Sequence, residues 1–169
     1  MSIIRNPLIR GCKNLKEELS FVKWLGIQST DLVLDVGSGQ NPNLRANVLC
    51  DKYVIDNMER ACEAPVFMDS RPFVIADGSM LPFKDKSFDF VICSHVIEHV
   101  DEPGKFLEEI QRVGKGGYIE TPHLIYEKMT GGWHVHKWFV SNDDGKLILQ
   151  KKPKGILDSD LRYFFKNIL

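Results

Sequence analysis

The segment Val33-Leu34-Asp35-Val36-Gly37-Ser38-Gly39 constrains this chain more than any other. A short apolar run stopped by glycines predicts a buried strand feeding a tight turn. The two glycines let the backbone bend sharply and approach a ligand at van der Waals distance. Asp35 lies near the end of that buried strand, where a carboxylate needs a partner; a turn amide or a ligand ammonium meets the need.

Around this joint, strands alternate with helices. Leu15, Leu19, Val22 and Leu25 give residues 13–26 one apolar helical face, closed by Gly26. Strands are expected over Asp31–Val36, Asn47–Tyr53, Pro72–Ala76, Ser87–Ser94 and Tyr118–Thr121. A helix is expected over Glu102–Val113, with Asp101 as N-cap, Pro103 in the first turn, and Phe106, Leu107, Ile110 and Val113 facing the core. Gly114, Gly116 and Gly117 are expected to end it. Ser141-Asn142-Asp143-Asp144-Gly145 predicts a hairpin turn between Lys137–Val140 and Lys146–Gln150, and Asp158–Leu169 a last helix. The fold class is therefore α/β: one domain over residues 1–169, with flanking helices and a mixed, mainly parallel sheet of about seven strands that includes the C-terminal antiparallel hairpin. Ligands of such sheets sit beyond the carboxyl ends of the strands, which brings the turns Gly37–Asn41, Asp77–Met80 and Ser94–His99 to one crevice.

Composition narrows the classes. With 43% hydrophobic and 27% charged residues in 169, the chain is an ordinary globular protein that folds without metal or disulfide staples. A net charge of -1 excludes a global field toward nucleic acid or anionic lipid. Cys12, Cys50, Cys62 and Cys93 form no C-x-x-C pair, which excludes a zinc ribbon or a thioredoxin-type centre. Arg5, Pro7 and Arg10 interrupt the opening apolar stretch, so no secretory leader is expected. No apolar run is long enough for a membrane span, and a cytoplasmic location is expected.

A dinucleotide fingerprint requires glycine where Pro42 stands, and only about ten residues separate Val36 from the next strand, too few for a crossover helix. V-L-D-V-G-S-G instead resembles the first motif of class I S-adenosylmethionine-dependent methyltransferases, a Rossmann-like family. The resemblance implies that Asp35, Gly37, Ser38 and Gly39 hold the methionyl part. Asn41 replaces the family's third glycine, and asparagine tolerates left-handed geometry. Asp51, with Lys52 beside it, matches the acidic residue that accepts both ribose hydroxyls; Asp56 is the weaker substitute. Ile75-Ala76-Asp77-Gly78-Ser79-Met80 is similar to the third motif. It implies that Asp77 accepts from the adenine amino group, that the Gly78 and Ser79 amides address the ring nitrogens, and that Met80 packs on the ring. Phe88–His99 resembles the fourth-strand motif, with Ser94 and His95 near the methyl donor, and the likeness covers residues 31–122.

His95-Val96-Ile97-Glu98-His99 also satisfies H-x-x-E-H, in which a helix would set His95 and His99 on one face to share zinc, with His123, His134 or His136 as third ligand. Because the string falls where the family often carries a similar one, no metal is expected, and Glu98 and His99 are assigned structural roles. His95 and His123 remain the candidate bases for an acceptor that loses a proton early. Trp133, His134, His136 and Trp138 either line an acceptor pocket or cap the sheet edge as core. The expected function is methyl transfer from S-adenosylmethionine to an unidentified acceptor. The alternative is a domain that binds the cofactor or S-adenosylhomocysteine without turnover, and the third reading is a nucleotide or NAD enzyme. A crevice without a cap domain suits a large acceptor, a second copy of the chain or a covering partner subunit.

Overall fold

The computed structural model describes residues 4–5, 15–55, 65–130 and 135–153. In chain order the elements are β1 (Ile4–Arg5), α1 (Leu15–Trp24), β2 (Val33–Val36), β3 (Val48–Asp51), β4 (Phe73–Ile75), β5 (Phe88–Ser94), α2 (Pro103–Val113), β6 (Gly114–Glu120), α3 (Leu124–Thr130), β7 (Trp138–Asp143) and β8 (Lys146–Lys151). Strands β1 to β6 form one sheet in the order β1-β6-β5-β2-β3-β4, with every pairing parallel. β7 and β8 form a separate two-stranded antiparallel sheet.

This corrects the expected mixed sheet of about seven strands. The parallel sheet is β2 to β6, extended at one edge by the two residues of β1, and the hairpin stands apart. The hairpin docks on a turn instead of a strand edge: the Lys137 and Trp138 amides donate to the Glu98 carbonyl (2.7 and 3.3 Å), and Trp138 Nε1 donates to the Val100 carbonyl (2.8 Å). Its own turn follows the expected chemistry, with φ of 45° at Asp144 and 77° at Gly145.

Alternation along the strands divides the core. Leu34 and Val36 of β2 pair in register with Val91 and Cys93 of β5, and this face packs against Phe106, Ile110 and Val113 of α2. Val33, Ile92 and Tyr118 point the other way, against Phe21 and Val22 of α1 and Ile27. The Phe21 ring meets Tyr118 edge-on at 5.1 Å. Residues 37–47 cross from β2 to β3 in turns without a helix, as their number requires.

Three local expectations change. Gly114, Gly116 and Gly117 begin β6 instead of merely ending α2, because this strand runs hard against β5: a Cβ at Gly114 would stand 2.6 Å from Val91 Cγ2, and one at Gly117 3.0 Å from the Val91 carbonyl. The residue before α2 is Glu102, without a side-chain cap, while Asp101 pairs with Lys137 Nζ at 2.9 Å. α3 had no sequence signal strong enough to predict it. The expected helix over Asp158–Leu169 and the residues Cys12, Asp56, Cys62, Trp133 and His134 lie outside the described residues. Cys50 and Cys93 are buried free thiols. No described helix is long and apolar enough to cross a membrane.

The β5–β6 contact gives a paired prediction. Gly114→Ala overpacks Val91 and is expected to destabilise the fold by about 1–3 kcal/mol. Gly104→Ala, in the first turn of α2 with nothing within 4 Å of the new Cβ, is expected to be neutral or stabilising by at most about 1 kcal/mol. Urea denaturation of the two variants beside the parent checks both signs.

Candidate functional site

The carboxyl ends of β2, β3, β5 and β6 open on one cavity of about 830 Å³. Asp35 lines it from β2, Gly37, Ser38, Gly39 and Asn41 from the first loop, Asp51 and Lys52 from the end of β3, Asp77, Gly78 and Ser79 from the loop after β4, Ser94 and His95 from the end of β5, and His123 from the segment after β6. The parallel order places the three predicted turns side by side. Met80 is the exception: it is 77% exposed and does not line the cavity.

The first loop is drawn over β3, since the Gly37 and Ser38 amides both donate to the Cys50 carbonyl (2.8 and 3.1 Å). Gly37 has φ 73° and Gly39 φ 52°, and a Cβ at Gly37 would meet Val96 Cγ2 at 2.1 Å. Both glycines are thus required by geometry. Asn41 is not among the described residues with positive φ, so the position where the family has its third glycine makes no such demand here. Asp35 accepts from the Asn43 amide at 2.7 Å, the turn-amide solution to its burial. Ser38 Oγ is buried and has no hydrogen-bond partner among the described residues.

The acidic residues are held ready. Asp51 Oδ2 accepts from the Gly39 amide and Oδ1 from the Tyr53 amide, each at 2.9 Å. Asp77 Oδ1 accepts from the Ser79 amide at 2.8 Å, and Oδ2 pairs with Lys52 Nζ at 2.7 Å. Burial raises the Asp77 pKa, but Lys52 and the Ser79 amide outweigh it and leave it below the ordinary value. The Ser79 amide therefore points to its own neighbour's carboxylate, not outward as the sequence suggested. Gly78 lets Phe106 pack beneath the loop, where a Cβ would come within 2.4 Å of its ring.

At β5 the backbone leaves the strand through His95, with φ 57°, and its amide donates to the Glu120 carbonyl at 2.8 Å. The helix that shared zinc ligation by His95 and His99 would require is absent. Residues 97–99 form a turn closed by the His99 amide on the Val96 carbonyl (2.9 Å), so His95 and His99 do not share a helical face. His95 Nδ1 lies 3.3 Å from Glu98 Oε1, out of hydrogen-bond alignment, and Nε2 lies 3.9 Å from Glu120 Oε1. Glu120 Oε2 accepts from Ser94 Oγ at 2.9 Å. Burial pushes the His99 pKa down to about 4. Its ring stands perpendicular to that of His136, the centroids 4.6 Å apart.

Sequence reasoning missed α3 and therefore its buried Glu127. That carboxylate receives His136 Nδ1 at 3.0 Å and Lys152 Nζ at 2.8 Å; these partners outweigh burial and hold its pKa below the ordinary value. His123 caps this helix: its Nδ1 accepts from the Ile125 amide at 3.1 Å, so neutral His123 carries its proton on Nε2. The aromatic group near the hairpin divides between its two readings. Trp138 packs against the core, whereas His136 lines the cavity. The legible signal for Glu120 was a carboxylate closing a buried strand, the same signal that singled out Asp35.

Residues 34–119 match the family described as "Methyltransferase domain". An uncharacterized methyltransferase of Mycolicibacterium gilvum is 39% identical over 117 residues, covering 65% of this chain and 44% of that protein. One from Mycobacterium tuberculosis is 35% identical over 122 residues, covering 64% and 47%. The chain thus spans less than half the length of these curated relatives. Among solved structures, a SAM-dependent methyltransferase from Thermotoga maritima is 28% identical, covering 60% of this chain and 47% of that one with a TM-score of 0.43.

Proposed function

The chain belongs to the methyltransferase-domain family, and from that premise we propose that its cavity binds S-adenosylmethionine and that the protein passes the methyl group to an acceptor by in-line displacement. The observation that carries the reading is one hollow faced by the Gly37-Ser38-Gly39 turn and by the carboxylates of Asp51 and Asp77. The residues fit the group. The cavity takes a nucleoside-sized ligand, buried Ser38 Oγ has a hydrogen bond still to make, and the Asp51 carboxylate lines the same hollow at the end of β3.

Bound S-adenosylmethionine supplies an activated methyl on a sulfonium, which leaves the chain to position reactants and exclude water. Asp51 accepts the ribose hydroxyls, and the Gly39 and Tyr53 amides hold its carboxylate aimed. Asp77 exchanges Lys52 for the adenine amino group, which assigns Lys52 the role of holding the carboxylate in the meantime. Gly37, Ser38 and Asp35 border the methionyl end, and Asn41 lines the wall beside it. Gly78 addresses the ring, while the inward Ser79 amide stiffens Asp77 and the outward Met80 serves the rim. Ser94 and His95 stand at the reacting end. His95 is the preferred base for an acceptor that loses a proton early, because capping of α3 engages His123 Nδ1 as an acceptor. His123 then orients the acceptor by donation from Nε2. We place the protein in the cytoplasm, in line with its buried free thiols, with a second copy or a partner subunit covering the open crevice.

Titration calorimetry with S-adenosylhomocysteine is expected to give saturable one-to-one binding that NAD does not displace. Absence of that binding overturns the reading. Transfer of label from S-adenosylmethionine across small-molecule, protein and RNA acceptors separates turnover from binding alone.

A further inference from the structure

The H-x-x-E-H string has an outcome that methyl transfer does not use. The turn over residues 97–99 sets Glu98 and His99 together, and the docked hairpin brings in His136 from 37 residues along the chain, so one ligand atom from each lies within 4.8 Å of the others. Glu98 is 1% exposed, and neither of its carboxyl oxygens has a hydrogen-bond partner among the described residues. His99 Nδ1 is likewise buried without one. Buried polar atoms are nearly always paired, because each unpaired one costs about 1–3 kcal/mol, more when charged. Glu98 Oε1 has only the misaligned His95 Nδ1 at 3.3 Å beside it, so these buried atoms mark a place for a missing partner.

The surrounding groups fit one class of partner. His136 donates from Nδ1 to the Glu127 carboxylate at 3.0 Å. A carboxylate behind a histidine in this way fixes the tautomer and ring orientation of a metal ligand. We propose that Glu98, His99 and His136 hold a divalent first-row transition cation of the zinc class. Two imidazoles and one carboxylate are the donor set such ions take when they keep open positions. Donors on a tetrahedral ion with bonds of about 2.1 Å lie roughly 3.4 Å apart, so these three draw in by at most about 1.4 Å on binding. His99 and His136 line the cavity, and the open position faces it. Glu127 is a positioning residue and Lys152 balances its charge.

The untagged chain, stripped with chelator and reloaded with excess zinc, is expected to retain one equivalent through gel filtration, and reloaded with cobalt(II) to give visible ligand-field bands. Glu98→Gln and His136→Asn are expected to lose both. Glu127→Gln is expected to weaken cobalt affinity roughly 10–100-fold while keeping the bands, and Lys105→Gln, at an exposed position of α2, to leave affinity unchanged. If the parent chain binds neither ion, or if His99→Gln and His136→Asn bind cobalt as the parent does, the site is a hydrogen-bonded cluster only. Circular dichroism of each variant guards against loss of fold, and the parent measurement stands without any variant. The readouts need no S-adenosylmethionine, so failure here and failure of the methyl-transfer reading are distinguishable.

Discussion

Gly37→Ala is expected to weaken S-adenosylhomocysteine binding roughly a hundredfold or more and to lower the melting temperature. Two penalties meet at this position. An L-residue at φ 73° costs about 1–2 kcal/mol. The new Cβ would also lie 2.1 Å from Val96 Cγ2, and forcing room in packed structure costs typically about 1–3 kcal/mol more. Val96 belongs to the turn that carries His95, so relieving the contact displaces one wall of the cavity or the other. Gly26→Ala separates the penalties, because Gly26 has nearly the same φ, 72°, with nothing within 4 Å of its added Cβ. It is expected to cost only the backbone part and to leave binding unchanged. Calorimetry and thermal melts of both variants test this. Equal affinity in Gly37→Ala and the parent removes the first loop from the site.

Asp51→Ala is expected to reduce affinity by a similar factor or more, through a different cause. Asp51 is 8% exposed and its two oxygens hold the amides of Gly39 and Tyr53. Removing it unpairs both amides and releases Gly39, while the Gly37 and Ser38 amides still hold the loop to the Cys50 carbonyl. In the proposed complex it also removes two hydrogen bonds to a carboxylate, worth about 1.5–3 kcal/mol each, or roughly a hundredfold and upward in Kd. Asp51→Asn is not expected to rescue binding, because its NH2 would confront one of the two donor amides. Titration with adenosine and with S-adenosylhomocysteine checks the assignment: both should weaken in parallel, since the ribose is common to them. Unchanged adenosine binding would move the ribose away from β3.

Much of this was legible because short-range signals decided it. The buried strands Val33–Val36 and Phe88–Ser94 announced themselves by apolar runs, and Gly37 and Gly39 by a turn that only glycine makes without strain. Parallel order then followed from the alternation of elements, and it carried Asp35, Asp51 and Asp77 to one mouth. Where the reading failed, the deciding contacts were long-range. The glycines after Val113 do stop α2 as expected, yet the close approach of Val91 also makes them the start of β6, ahead of the expected Tyr118. Asp101 looked like a cap, yet Lys137 from the hairpin took it. Met80 looked like a ring contact, yet its loop turns it outward.

The amino-acid order alone determined the parallel α/β frame, the glycine joint and the row of carboxylates, since each depends on residues adjacent in the chain or on their periodicity. Only the tertiary structure decided that Glu98, His99, Glu127 and His136 meet. That meeting requires a hairpin to dock through backbone hydrogen bonds on a turn some forty residues earlier, roughly the separation at which sequence pattern carries no information about contact.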